Sequence, residues 1–329
     1  EKLRRREEVV KEKYNTDFFK LNIGKKMRSI SLVKLCMMAV VAYISLSCTS
    51  ADSSTSQAEA IPLFPTENRT EEVVVISTSY GDMIVRLYDA TPEHKSNFLK
   101  LTKEGFYDST TFHRVIEGFM IQGGDPNSKD DDLRNDGQGG PGYTLPAEIV
   151  RGYIHKKGAL AAARMGNEAN PGMRSNGSQF YIVHGRERTE RDIDQLMAQA
   201  NNNIEQGLIT AYVSAPENTE VKQRIDQARM DGNQGVVRDI LDEIKPLATK
   251  DFEPIVYTPE QREIYIKQGG VPYLDRSYTV FGEVIQGLAV VDSIAQAKKT
   301  YADRPVEDIP MILRVQTMTL APDGSIIEQ

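Results

Sequence analysis

From residue 71 onward the chain alternates short apolar runs with turn residues, a pattern of many strands and few helices. Val73-Val-Val-Ile76 is a β-branched run, Ser79-Tyr-Gly-Asp82 punctuates it, and Met83-Ile-Val-Arg-Leu-Tyr88 resumes it. That order predicts a hairpin. Thr91-Pro92-Glu93 then places an N-cap and a proline at the first helical position, opening a helix with apolar Phe98, Leu99 and Leu101 that Gly105 ends. Further β-rich runs fall at 110–115, 119–122, 158–163, 180–183, 279–284 and 311–320. So many short strands predict a closed barrel or a sandwich, and the spacing alone does not choose between them.

Between residues 187 and 271 the period changes. Ile193, Leu196, Met197, Ala200 and Ile204 recur at helical spacing, and Val221, Ile225 and Ala228 form a second stripe. A third, Val237, Ile240, Leu241 and Ile244, is predicted to end at Pro246. Thr258-Pro259-Glu260 caps a fourth that stops at Gly269-Gly270. Three or four short amphipathic helices are expected there, packing as a helical subdomain of net charge −6.

The first 47 residues obey different physics. They hold 11 Lys/Arg against 5 Asp/Glu, a net of +6, whereas the remainder carries −13. Lys25, Lys26, Arg28 and Lys34 precede a 12-residue apolar run at 35–46, too short for the ~20 residues that span a bilayer. A basic flank, a short apolar core and a small residue before a cysteine read as a bacterial secretion signal. Ser45-Leu46-Ser47-Cys48 resembles the cleavage box of bacterial lipoproteins, in which the cysteine becomes the lipidated first residue; Ser45 stands where a large aliphatic residue is usual. Residues 1–47 are therefore expected to be export signal and upstream surplus, with Met27 as the start. Residues 48–70, rich in Ser, Thr, Ala and Glu, are expected to be a flexible tether. With Cys48 lipidated and Cys36 removed, no free thiol remains, which suits an oxidising compartment. The location predicted is the bacterial cell envelope, lipid-anchored and facing the periplasm.

Composition narrows the chemistry. With 40% hydrophobic and 26% charged residues, collagen, global disorder and a multi-span membrane protein are excluded. A net charge of −7 argues against nucleic-acid binding. The four histidines, His94, His113, His155 and His184, lack ligand spacing, so no metal is expected. Gly137-Gln-Gly-Gly-Pro-Gly142 lacks the Lys-Ser/Thr that closes a phosphate loop and is taken as a turn. Asp130-Asp131-Asp132 is taken as a solvated loop.

Thr111-Phe-His-Arg-Val-Ile-Glu-Gly-Phe-Met-Ile-Gln-Gly-Gly-Asp125 closely resembles the signature of cyclophilins, the peptidyl-prolyl cis–trans isomerases. Asn97-Phe98-Leu99, Gly105-Phe-Tyr-Asp108, Gly139-Gly-Pro-Gly-Tyr143, Asn176-Gly-Ser-Gln-Phe-Tyr181 and Val280-Phe-Gly282 extend the likeness in the family's order. The resemblance implies a closed eight-stranded antiparallel β-barrel capped by two helices. Its first part would be 71–186 and its second 272–329, with 187–271 as an 85-residue insertion beside the groove.

The same resemblance implies the site. Arg114 would be the catalytic arginine and Gln122 the glutamine that orients it. Phe119, Met120, Tyr181 and Leu274 would line a proline pocket, with Ala163, Arg164, Gln179, Tyr273 and Tyr278 along the groove. His113, although in the signature, is taken as a structural, hydrogen-bonded histidine. Three departures stand out. Ala163-Arg164-Met165 replaces the usual Ala-Asn-Ala, adding a positive charge that would favour acidic neighbours of the proline. Tyr273 replaces a frequent tryptophan and Tyr278 a frequent histidine, which implies weak cyclosporin sensitivity. The chemistry needs no cofactor and no metal. The expected partners are proline-containing unfolded polypeptides and, through Cys48, a membrane, with the protein monomeric. The alternative is a proline-peptide binding module or chaperone with little turnover.

Overall fold

The computed structural model describes residues 65–327 except 131 and 301; the export signal, Cys48 and most of the tether lie outside the described residues. The strands are β1 (Arg69–Thr78), β2 (Gly81–Leu87), β3 (Arg114–Ile116), β4 (Met120–Gly123), β5 (Thr144–Leu145), β6 (Ala159–Ala162), β7 (Ser175–Asn176), β8 (Phe180–Val183), β9 (Val280–Gln286) and β10 (Met311–Leu320). Eight of them form one antiparallel sheet in the order β10-β1-β2-β9-β6-β8-β4-β3, and β5 pairs with β7 apart from it.

The expected closure by strand pairing is not what the end strands show. Among the described residues β3 and β10 share no ladder. The segments just before them meet instead: Phe112 N–H donates to the Ile309 carbonyl at 3.0 Å and Met311 N–H to that of Thr110 at 2.9 Å. A single bridge, Thr111 with Pro310, marks the contact. The physical reason lies on the other edge of the three-residue β3, which the loop before β10 occupies: Val115 N–H donates to the Asp303 carbonyl at 2.7 Å.

Alternation along the strands sends side chains to two apolar clusters. Leu160 and Ala162 of β6, with Phe180 and Ile182 of β8, face a core shared with Phe98 of α1 (Pro92–Lys103). Ala159, Ala161, Tyr181 and Val183, on the opposite face of the same strands, form a second cluster. That explains why β6 and β8 are buried at every position. Helix α1 starts where Thr91-Pro92 predicted, but its cap is different: the Thr91 hydroxyl donates to the Tyr88 carbonyl. The free N–H groups of Glu93 and His94 are taken by the Glu148 carboxylate at 3.0 and 2.9 Å.

Between β8 and β9 lie α2 (Glu190–Ser214), α3 (Thr219–Met230), α4 (Gln234–Ala248) and α5 (Pro259–Lys267); α6 (Leu288–Ala295), which the hydrophobic pattern does not locate, follows β9 and with α1 makes two α-helices outside the insertion among the described residues. Capping boxes open α2 at Thr189 and α5 at Thr258. Pro246 does not end α4, which runs two residues past it. At that point only the last turn remains, so the proline removes one N–H near an end that is already fraying. Ile193 and Ala200 of α2 pack with Tyr257, Tyr265 and Ile154, the last from the loop before β6. The segment leaves and re-enters at one point: Gly270 N–H donates to the Arg186 carbonyl at 3.2 Å. A Cβ at Gly185 would lie 2.5 Å from the Cα of Gly270, so that crossing requires glycine.

Candidate active site

Strand register assembles the groove. Arg114 stands opposite Gln122 across β3 and β4, Gln122 opposite Tyr181 across β4 and β8, and Tyr181 opposite Ala161 across β8 and β6. Directly opposed residues share a face, so Arg114, Gln122 and Tyr181 lie in one row on the outer face of the sheet. A cleft of about 190 Å³ opens there, lined by Arg114, Phe119, Met120, Gln122, Ala163, Arg164, Tyr181, Leu274 and Tyr278. Tyr273 stands at its rim, its ring stacked on Phe119 at 6.0 Å. Gln179 is the remaining residue implied for the site, and it sits one layer behind.

A chain of amides sets the arginine's direction. The Gln179 side-chain N–H₂ donates to the carbonyls of Gly137 and Gly139, at 3.0 and 2.8 Å. Carbonyls only accept, so this fixes the amide's orientation and turns its oxygen toward Gln122, whose Nε2 donates to it at 3.0 Å. The Gln122 oxygen is then left for Arg114, whose Nη1 approaches to 3.4 Å. The glycine-rich loop is thus an anchor for the site, itself held by the Asp125 carboxylate accepting the Gly139 N–H at 3.1 Å.

The opposite lip is strapped down by Arg164. Its Nε donates to the Ser277 carbonyl at 2.7 Å, its Nη1 to that of Met165 at 2.9 Å, and its guanidinium lies 4.5 Å from the centre of the Tyr278 ring. Tyr278 meets Tyr181 edge-on at 6.0 Å. The phenol gained at 278 is thus a platform for the guanidinium gained at 164.

Titration in the groove follows burial. Burial holds the Tyr181 hydroxyl well above the ordinary phenol value and raises that of Tyr273 against the pull of Arg188. His113 is buried, and burial lowers its pKa despite Asp125 and Asp136 nearby. Expected to be hydrogen-bonded, its ring makes no side-chain hydrogen bond of ordinary geometry and has only a loose contact with the Thr111 backbone.

Residues 73–245 and 259–317 match the family described as cyclophilin type peptidyl-prolyl cis-trans isomerase/CLD. The chain belongs to this family. A Staphylococcus epidermidis relative named "Putative peptidyl-prolyl cis-trans isomerase" is 31% identical over 72% of this chain and 87% of its own. A Staphylococcus aureus relative of the same name is 30% identical over 72% of this chain and 87% of its own. A crystal structure of a Cryptosporidium parvum cyclophilin-type isomerase, determined in the presence of the dipeptide Ala-Pro, superposes with a TM-score of 0.44 at 20% identity, covering 74% of this chain and 98% of that one. The family match and the named relatives make this cyclophilin a peptidyl-prolyl cis-trans isomerase.

Two polar clusters of the cyclophilin escape a reading of the sequence. In one, Ser175 Oγ is 2.9 Å from His94 Nε2, and His94 Nδ1 is 2.6 Å from Glu148. The order is that of a nucleophile triad, but Ser175 is only 1% exposed and Glu148 is already capping α1. It is a structural network. The second surrounds His155 and Asp275 directly beneath the groove. The one signal for it in the sequence is the Tyr181 hydroxyl in a proline pocket otherwise lined by the apolar Phe119, Met120 and Leu274, which demands a buried partner.

Proposed function

We propose that this cyclophilin isomerises Xaa–Pro bonds of unfolded or newly exported envelope proteins, by arginine-assisted loss of amide resonance over an apolar proline pocket. The barrier to be lowered is about 18–20 kcal/mol and arises from conjugation of the nitrogen lone pair with the carbonyl. No nucleophile is needed for that. A donor beside the prolyl nitrogen favours its pyramidal form, whose lone pair no longer conjugates.

The observation that carries the reading is the row of Arg114, Gln122 and Tyr181 at a cleft whose floor and walls include Phe119, Met120 and Leu274. A proline ring held against those side chains would bring its nitrogen within reach of the Arg114 guanidinium. That group is permanently charged and donates without a protonation step. Its direction is set in advance by Gln122 and Gln179, so little reorganisation accompanies the twist. The charge of Arg164, although its Nε and Nη1 are engaged with backbone carbonyls, would still favour an acidic residue near the proline.

Arg114→Ala is expected to lower kcat/KM on an Xaa–Pro peptide by roughly 10²-fold or more, the scale of losing one preorganised donor. Peptide affinity should change only a few-fold. A wild type no faster than Arg114→Ala, yet still binding the peptide, would replace the catalytic reading with that of a binding module.

The envelope location rests on the basic flank, the apolar run and Cys48. Intact mass of the protein from its natural cell should show a lipidated Cys48 as first residue. A mature N-terminus upstream of Cys48 would overturn the anchor.

A further inference from the structure

Beneath the groove a carboxylate is held by groups from two parts of the chain. Asp275 follows Leu274 of the pocket and is 2% exposed. Its Oδ2 accepts the hydroxyls of Tyr257 and Tyr265, both at 2.6 Å, from the helical segment between β8 and β9. Its Oδ1 accepts the His155 backbone N–H at 2.8 Å and lies 2.7 Å from His155 Nδ1. All four contacts to the carboxylate are therefore with donors, and Nδ1 must carry the imidazole proton to be one of them. The other ring nitrogen, His155 Nε2, is 2.9 Å from the Tyr181 hydroxyl.

The direction of that last bond follows. Burial keeps the proton on Tyr181, and in the imidazole tautomer that carries its proton on Nδ1 the lone pair of His155 Nε2 accepts it. Its hydroxyl points inward to His155 while its ring faces the cleft. Toward a substrate, Tyr181 presents an apolar ring as a phenylalanine would, but its ring is tethered where a phenylalanine would be free to shift. The His155 and Tyr181 ring planes lie within 13° of each other, with centroids 6.0 Å apart.

We infer that Tyr257 and Tyr265 are positioning residues for the proline pocket, acting through Asp275 and His155 on Tyr181. The helical segment is on this account part of the site's construction, although neither tyrosine lines the cleft. The inference rests on the proposed proline site but concerns only how its wall is held.

The test is a double-mutant cycle on the full chain. Tyr257→Phe/Tyr265→Phe removes two hydroxyls without removing a ring. It should raise KM for an Xaa–Pro peptide by about three- to tenfold, the range of coupling between residues of one hydrogen-bond network, with kcat nearly unchanged because Arg114 is held separately. In a Tyr181→Phe background the same pair of substitutions should change KM less than twofold. An undiminished effect in that background would overturn the inference, because the tyrosines would then act by another route, such as the loop carrying Leu274.

A spectroscopic arm is independent of turnover. With tyrosine labelled by ¹³C at Cζ, the Tyr181 signal, assigned by its loss in Tyr181→Phe, should shift in the Tyr257→Phe/Tyr265→Phe variant. An unmoved signal in a folded variant would overturn the inference. Failure of the proline-site reading itself shows differently, as equal turnover by wild type and Arg114→Ala.

Discussion

Gln179 does not line the cleft, yet its amide decides which way Arg114 is offered. Replacing it with leucine would free the Gly137 and Gly139 carbonyls and leave the Gln122 amide without its partner. Only the bond to Gln122 bears on Arg114, and its net value of about 1 kcal/mol puts the expected loss in kcat/KM at about fivefold. In an Arg114→Ala background the loss should shrink, since nothing would remain to be aimed; an equal loss in both backgrounds would show that Gln179 acts elsewhere. At this scale much of the site was legible. Arg114, Phe119, Met120 and Gln122 fall within one continuous stretch; the register sets Arg114 opposite Gln122, and all four line the same cleft. His155 and Asp275 were not legible, because 120 residues separate them and neither type marks itself as buried and paired.

Helix α1 shows where local signals stop. Thr91-Pro92 located its start, but the groups that satisfy its first N–H donors come from Glu148, some 55 residues along the chain. No local pattern carries that partner. A carboxylate at a helix N-terminus both accepts hydrogen bonds and complements the helix dipole, and this one also meets His94 Nδ1 at 2.6 Å. Glu148→Ala should therefore lower stability by about 1–2 kcal/mol, read as a shift of the denaturant midpoint with unchanged slope. No shift would mean that the helix end is satisfied in some other way. Pro246 teaches the complementary lesson. Proline is a reliable stop only in a helix interior, and α4 carries it in the last turn.

For the molecule as a whole, the open question in the sequence was whether the helical stretch is a separate body. Ile193 of α2 is fully buried in one cluster with Ile154, which belongs to the sheet's own loops, and with Tyr265. Ile193→Ala should cost about 2–5 kcal/mol. It should move the helical circular dichroism and the tyrosine fluorescence of the groove together, the latter readable because the chain has no tryptophan. Two separated transitions would show that the helices melt alone. The sequence conveyed the helices through their period, but the join between them and the sheet depends on contacts that no period records. The crossing at Gly185 and Gly270 has a further consequence. Because the ends of the excursion touch, β8 and β9 see the same boundary whatever length of chain lies between. Each doubling of such a loop costs only about 0.6 kcal/mol of closure entropy, so an 85-residue excursion is only about 2 kcal/mol dearer than a ten-residue one. The crossing is a socket: natural variation can lengthen, shorten or exchange what is plugged into it, provided the two glycines stay and Asp275 finds its donors again.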